Sequence, residues 1–505
     1  MTNHLFDLIR ARMPAASRPF IQRPGKADLT YNDVVRLSGQ LAQVLTAHGV
    51  APGDRVAVQV DKSADAIMLY LASVRAGAVF MPLNNAYTLA ELDYFITDAE
   101  PKLVVGAPSK SGDLGALAVK SGAKFLSLGS VGDGTLMAAA HSAPSDFQDI
   151  PRAAGDMAAL LYTSGTTGRS KGAMLTHDNL ASNALVLVQH WRFTGDDVLL
   201  HALPIFHTHG LFVATNTILM AGASMVFLPG FNAEEVIREM PRATAMMGVP
   251  TFYVRLLQHD ALTAAATKHM RLFISGSAPL LAETHIEWKK RTGHAILERY
   301  GMTETNMITS NPYDGNRVAG AVGQPLPGVS LRIANAETGA HLGAGDIGMI
   351  EVKGPNVFLG YWRMPEKTKA EFRADGFFIT GDLGKIDEHG YVHIVGRGKD
   401  LVITGGYNVY PKEVEDEIDA LDGVNESAVF GLPHADFGEA VTAAVVLRPG
   451  ANVEEQTIMA ALQSRLAKFK QPKRILFVPE LPRNTMGKVQ KNSLQSAYKG
   501  LYTQS

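Results

Sequence analysis

The chain has 505 residues, no cysteine, and 47 lysines and arginines against 49 aspartates and glutamates, for a formal net charge of -2. Hydrophobic residues at 46% and charged residues at 19% exclude a disordered or coiled-coil protein, and the near-neutral balance removes long-range attraction to nucleic acid or an anionic membrane. The lack of cysteine excludes disulfides, thiolate metal sites and an acyl-thioester carried on the protein itself. At roughly 150 residues per domain, two or more domains are expected. The opening stretch MTNHLFDLIRARMPAASRPF holds no apolar core with a cleavage site. Nowhere do about 18 uncharged apolar residues run together, so a soluble cytoplasmic protein is expected.

In chain order, Thr30 to Asp33 reads as a capping sequence opening an amphipathic helix to about His48, and Arg55 to Val60 as a buried strand. Helix Ala64 to Ala76, strand Ala158 to Thr163, helix His177 to Trp191, strand Val198 to Leu203 and strand Arg271 to Ser275 continue the rhythm. Such alternation predicts parallel sheets covered by helices, an α/β fold of doubly wound sheets. The segment from Ser130 to Pro151, rich in Ala, Ser, Asp and Gly, reads as a surface connection. In VPTFYVRLL a helix begins near Pro250, and Arg255, one turn after Thr251, shares its face. After Gly320 the pattern shifts to short strands with turns: Val329 to Ile333, Gly348 to Val352 and Tyr391 to Val395, a more β-rich section. Around Gly396 to Asp400 the composition turns to Gly with Arg and Lys, and a fresh βα series starts at Val409. The expected division is a large domain over 1–396, a link over 397–400 and a small α+β domain over 401–505.

Three stretches carry chemistry. TSGTTGRSKGA, Thr163 to Ala173, is rich in hydroxyls and glycine and ends in Lys171, suited to wrapping a polyphosphate with N–H groups, hydroxyls and one cation. It is not the common P-loop, because Ser170 stands where that pattern requires Gly. ERYGMTE, Glu298 to Glu304, offers an aromatic ring, a hydroxyl and a carboxylate, and PRNTMGK, Pro482 to Lys488, places a lysine near the far end. Together with TGD at Thr380 to Asp382 and GRGKDLVITGGYNVYPKEVE at Gly396 to Glu415, the set resembles the adenylate-forming superfamily of acyl-CoA synthetases.

That resemblance implies ATP, Mg²⁺ and CoA as reactants and cofactor, and a small mobile lid turning about Lys399. It implies a phosphate-binding role for Thr163, Ser164, Gly165, Thr166, Thr167 and Lys171. Proline is usual before that lysine, and Ser170 stands there instead. Glu304 is the expected Mg²⁺ ligand, a hard oxygen donor of the kind that ion prefers, with Thr303 at the α-phosphate and Tyr300 stacked on adenine. Asp382 is expected to accept the ribose hydroxyls with help from Arg397. Gly276, Ser277 and Ala278 resemble the segment along the adenine and acyl group. Lys488 would bridge the attacking carboxylate and the α-phosphate, and acetylation by a partner acetyltransferase would remove its charge. Gly405, Gly406 and Tyr407 match the turn lining the pantetheine tunnel. Seventeen residues, 489 to 505, follow Lys488, too few for a carrier-protein domain, so a free thiol such as CoA is expected.

The combination LPIFHTHG, VPTFYVRLL, RLFISGSAPL and LERYGMTET resembles malonyl-CoA and methylmalonyl-CoA synthetases more than enzymes for acetate, fatty acids or coumarate. It implies an acyl pocket near His207, Thr208, Ser277, Met302 and Met307, with Arg255 on a distal carboxylate. A zinc site at His207 and His209 is disfavoured, because no cysteine or acidic partner accompanies the pair. Alternatives are a synthetase for another short carboxylate, such as acetate or propionate, a peptide-synthetase adenylation domain, which would carry Asp in place of His207, and a non-enzymatic nucleotide-binding protein.

Overall fold

The computed structural model describes residues 2–163, 170–405, 407–434, 436–463, 465–484 and 487–502. Its contacts group into two compact units, Met1–Ser330 with Lys353–Phe378, and Leu331–Val352 with Ile379–Ser505. The first unit holds two large sheets and the second two smaller ones, a mixed α/β architecture as expected.

One sheet of the first unit runs in the order Gly360–Tyr361, Lys171–Thr176, Met157–Thr163, Val79–Pro82, Arg55–Gln59, Leu103–Gly106, Lys124–Ser127. Its strands from Met157–Thr163 onward are parallel. Covering helices bury both faces, which is why Val79–Pro82 and Leu103–Gly106 are buried at every position rather than alternately. The helices start where hydroxyls cap them: Thr30, Thr88 and Thr176 each form a reciprocal capping box.

The other sheet places Leu297–Met302, Leu272–Ser275, Ala245–Gly248 and Val198–His201 side by side and parallel. Their carboxyl ends therefore open on one edge, where ligands of open α/β sheets are held. From those ends continue Thr303–Glu304, Gly276–Ala278, the helix Pro250–Leu257 and the loop carrying His207. Segments far apart in sequence are brought together by strand order alone.

The second unit contains a four-stranded sheet in the order Ser330–Ala334, Gly348–Lys353, Phe378–Ile386, Val392–Arg397, the last two strands antiparallel, and a five-stranded sheet built on the long hairpin Val424–His434 with Gly438–Leu447. Val402, Val414, Ile418, Val429, Val441, Ile458 and Leu462 form the core on one face of that hairpin. The expected link at 397–400 falls inside this unit, together with the strands that precede it.

The expected elements lie within two residues of those observed. One expectation is corrected: Ser130 to Pro151 is not merely a surface connection. It contains the helix Thr135–Ser142, whose Leu136, Met137 and Ala140 are buried because their spacing puts them on one helix face, beside the helix Tyr31–Ala47. No helix among the described residues is long and apolar enough to cross a membrane.

Candidate active site

Thr163 ends one strand and Lys171 begins the next, and the two are paired across the antiparallel ladder. Ser164, Gly165, Thr166 and Thr167 lie outside the described residues. The Lys171 ammonium is 3.2 Å from Glu371 Oε1 and 4.1 Å from the Tyr361 ring centroid, a cation against both a carboxylate and a π face. The Tyr361 hydroxyl is 2.8 Å from Glu371 Oε2 and 3.0 Å from Glu304 Oε1, so one phenolic proton faces two carboxylates. Burial and those two anions raise the Tyr361 pKa, so it stays neutral and donates. Burial pushes Glu371 up, but Lys367, Tyr361 and Lys171 outweigh it and hold its carboxyl below the usual range. Glu304 is thus a buried carboxylate, held from the side of Tyr361, beside half-buried Thr303 in the turn after Leu297–Met302. Its oxygens suit Mg²⁺ in kind. Tyr361 and Glu371 were not picked out in the sequence, since nothing local connects them with a loop some 190 residues earlier.

A second cluster is built on the ends of the parallel strands. Ser277 follows Leu272–Ser275 with a left-handed backbone, φ 73°, and its Oγ is 3.2 Å from His209 Nδ1. A Cβ on Gly276 would stand 2.4 Å from Arg299 Cζ, so only glycine lets the backbone cross the Arg299 guanidinium. Arg299 is buried, and its Nε and Nη2 have no hydrogen-bond partner among the described residues. Burial brings its pKa down to about 9. Burial and then Arg299 hold His209 well below the usual histidine range, so it is neutral. Thr208 Oγ1 and His209 Nε2 are likewise buried without partner. Half-buried His207, whose Nδ1 accepts from the His209 backbone N–H, precedes them.

Met307 is buried and packs over Gly301, where a Cβ would come within 2.7 Å of its Cε; Met302 and Tyr300 are half-buried on the neighbouring strand. Ala278 is half-buried, and Arg255 lies exposed on its helix. Arg299 was missed in the sequence, although Glu298 and Arg299 side by side in a strand flanked by AIL and YGM were a usable signal. Neighbouring strand residues face opposite sides, so both sides must accommodate charge.

In the second unit, Asp382 and Arg397 are register partners on adjacent strands, and Arg397 Nε is 2.7 Å from Asp382 Oδ1. Asp382 is buried. Lys488 is half-buried, its backbone N–H held by Asn484 Oδ1 at 2.9 Å. Loss of hydration and then Arg397 bring its pKa down to about 8, with Asp382 acting in the opposite sense. Lys399 lies in the turn Gly398–Asp400, 3.8 Å from Asp400 Oδ1. Gly405, φ 55°, donates its N–H to Phe437 O, Tyr407 is exposed and stacks on Phe469 at 4.8 Å, and Gly406 lies outside the described residues.

Comparison with known proteins adds what geometry alone does not. The family profile described as AMP-binding enzyme matches residues 10–362, and that of the AMP-binding enzyme C-terminal domain matches residues 413–488. The malonate–CoA ligase of Arabidopsis thaliana is 36% identical over 492 residues, covering 91% of this chain and 80% of that one. The mitochondrial malonate–CoA ligase of Bos taurus is 34% identical, covering 96% and 91%. The crystal structure of ATP-bound MatB from Rhodopseudomonas palustris superposes with a TM-score of 0.98 at 63% identity, covering 99% of this chain and 100% of that one. With both parts matched in order over most of its length, this chain belongs to the AMP-binding enzyme family.

Proposed function

We propose that this chain is an acid–thiol ligase that adenylates malonate with ATP and passes the acyl group to CoA, releasing pyrophosphate and then AMP. The observation that carries the substrate is Arg299: a buried guanidinium with two unpartnered nitrogens, beneath Gly276 and Ser277, in a pocket that also holds unpartnered Thr208 and His209 atoms. A buried cation without an anion is costly, and a bidentate carboxylate is its natural complement. The likeness to malonate–CoA ligases and MatB supports the same reading.

A dicarboxylate in this pocket presents its distal group to Arg299, with Ser277 and His207 assisting and Arg255 reaching from the exposed face of its helix. Thr208 and Met307 shape the space around the α-carbon and set whether methylmalonate is also accepted. Lys171 and the hydroxyls of the loop that begins at Thr163 hold the phosphates, and Glu304 holds Mg²⁺, which neutralises charge there. Tyr300 packs on the adenine, Thr303 and Gly276–Ala278 line the nucleotide, and Asp382 with Arg397 takes the ribose. Lys488 supplies the cation between the attacking carboxylate and the α-phosphate. For thioester formation, Gly405, Gly406 and Tyr407 line the thiol path after a turn about Lys399, within a hinge at 397–400 separating domains 1–396 and 401–505. Acetylation of Lys488 by a protein acetyltransferase would silence adenylation. The proposed setting is the cytoplasm.

The test is pyrophosphate release with ATP, Mg²⁺ and CoA across acetate, propionate, malonate, methylmalonate and succinate. Fast turnover restricted to malonate and methylmalonate is expected; faster turnover of a monocarboxylate overturns the dicarboxylate reading and leaves the family intact.

A further inference from the structure

Behind the acyl pocket, the Lys62 amine has no place in the chemistry above. Lys62 is half-buried, yet its amine points inward, where burial holds its pKa well below the usual lysine range: Nζ is 3.0 Å from His201 Nδ1, 2.8 Å from His201 O and 4.3 Å from the Phe227 ring centroid. On the other side of the same imidazole, His201 Nε2 is 2.8 Å from the carbonyl oxygen of Gly210. The two contacts fix the proton positions. A carbonyl only accepts, so Nε2 carries the hydrogen; Nδ1 then accepts from Lys62. Lys62 belongs to the segment after Arg55–Gln59 in one sheet, and His201 ends Val198–His201 in the other, so the contact spans the two sheets.

Gly210 stands in the first turn of a π-helix, His209–Asn216, in which each backbone turn takes an extra residue. Its carbonyl also accepts from Thr215 Oγ1 at 3.1 Å. The backbone is pinned on its other side as well, since a Cβ on Gly210 would stand 2.1 Å from Pro204 O. The residues just before Gly210 are Thr208 and His209, whose unpartnered polar atoms line the acyl pocket and whose imidazole contacts Ser277.

We propose that Lys62 is a positioning residue for the acid substrate: through His201 it holds the Gly210 carbonyl, and so fixes the first turn of the π-helix that presents Thr208 and His209. The proposal rests on the acyl pocket proposed above. Without the Lys62 donor, His201 can flip its tautomer, Nε2 loses its hydrogen, and the Gly210 carbonyl is left with Thr215 alone. The turn then relaxes, and the effect falls on the acid rather than on ATP.

The experiment compares wild type with Lys62→Met, which keeps the stem and removes the donors, and with Lys62→Gln, which keeps a donor. Thr215→Val removes the other hydrogen bond to Gly210 O. Pyrophosphate release is followed with acid and ATP varied separately. Lys62→Met is expected to raise KM for malonate about tenfold, the effect of one lost buried hydrogen bond, with KM for ATP unchanged and partial recovery in Lys62→Gln. Thr215→Val should raise the same KM, and the double variant should show a non-additive rise. Equal rises in KM for acid and ATP, or an unchanged KM for malonate in both single variants, overturn the assignment. If Lys62→Met does not fold, Lys62→Gln and Thr215→Val carry the same test. The wild-type substrate panel is scored first, so an error in substrate class shows there and not in the variants.

Discussion

Replacing Arg299 by methionine removes the guanidinium and keeps a flexible stem of similar length. Burial takes this group from its ordinary value down to about 9, and at about 1.4 kcal/mol for each pH unit this is a penalty of several kcal/mol against the charged form. Below pH 9 the group is charged in the folded and unfolded chain alike, so this penalty is present throughout the working range. A distal carboxylate relieves it, and losing one partner of such a buried pair costs about 3–5 kcal/mol. Arg299→Met should therefore lower kcat/KM for malonate by roughly two to three orders of magnitude. Propionate, which lacks the second carboxylate, should lose little or gain. Thermal unfolding without substrate should be unchanged or shifted upward, because an uncompensated cation has gone. The assay is pyrophosphate release with each acid at saturating ATP. Equal losses for malonate and propionate would refute the reasoning, since they would make Arg299 a structural support rather than the partner of a second carboxylate.

Lys488 must be cationic to bridge carboxylate and phosphate, so with its pKa at about 8 the adenylation rate should fall as pH rises through 8, read from single-turnover pyrophosphate release. Lys488→Ala should nearly abolish that step while thioester formation from supplied malonyl-adenylate persists; equal loss of both steps counts against the assignment. Gly276→Ala forces a Cβ to 2.4 Å from Arg299 Cζ, and should raise KM for malonate more than tenfold, with a smaller change in KM for ATP. His177 is buried, neither ring nitrogen has a hydrogen-bond partner among the described residues, and burial brings its pKa from 6.5 to about 4. Between those values the unfolded chain binds the extra proton, so stability should fall by up to about 3 kcal/mol as pH drops from 6.5 to 4. Denaturant unfolding of His177→Phe should show a flatter acid limb over that window; an identical slope would remove His177 as the cause.

Much of the first unit was legible because its signals are local. Thr30 and Thr176 cap helices three residues before the partner that completes the box, and strands buried on both faces read as unbroken apolar runs. The motif residues were legible for the same reason, each cluster lying within a stretch of at most twenty positions. Contacts set by strand order were not. Glu371 meets Lys171, and Tyr361 meets Glu304, only because Gly360–Tyr361 pairs with the strand Lys171–Thr176 at the edge of its sheet. Arg299 escaped notice because a motif read for Tyr300 and Glu304 drew attention past the residue whose burial depends on what crosses above it. Arg255 showed the converse difficulty: helical spacing gives its face, but not whether that face meets solvent.

The pairing of Lys171 with Glu371 bears on product departure. A lysine already matched by a carboxylate yields only to a ligand that offers more negative charge at that point than the carboxylate does. The β- and γ-phosphates of a triphosphate meet that condition, whereas a nucleoside monophosphate, with one phosphate held elsewhere, does not. On the proposed phosphate role of Lys171, Glu371 is an internal competitor: once pyrophosphate has left, the ammonium has a resting partner 3.2 Å away.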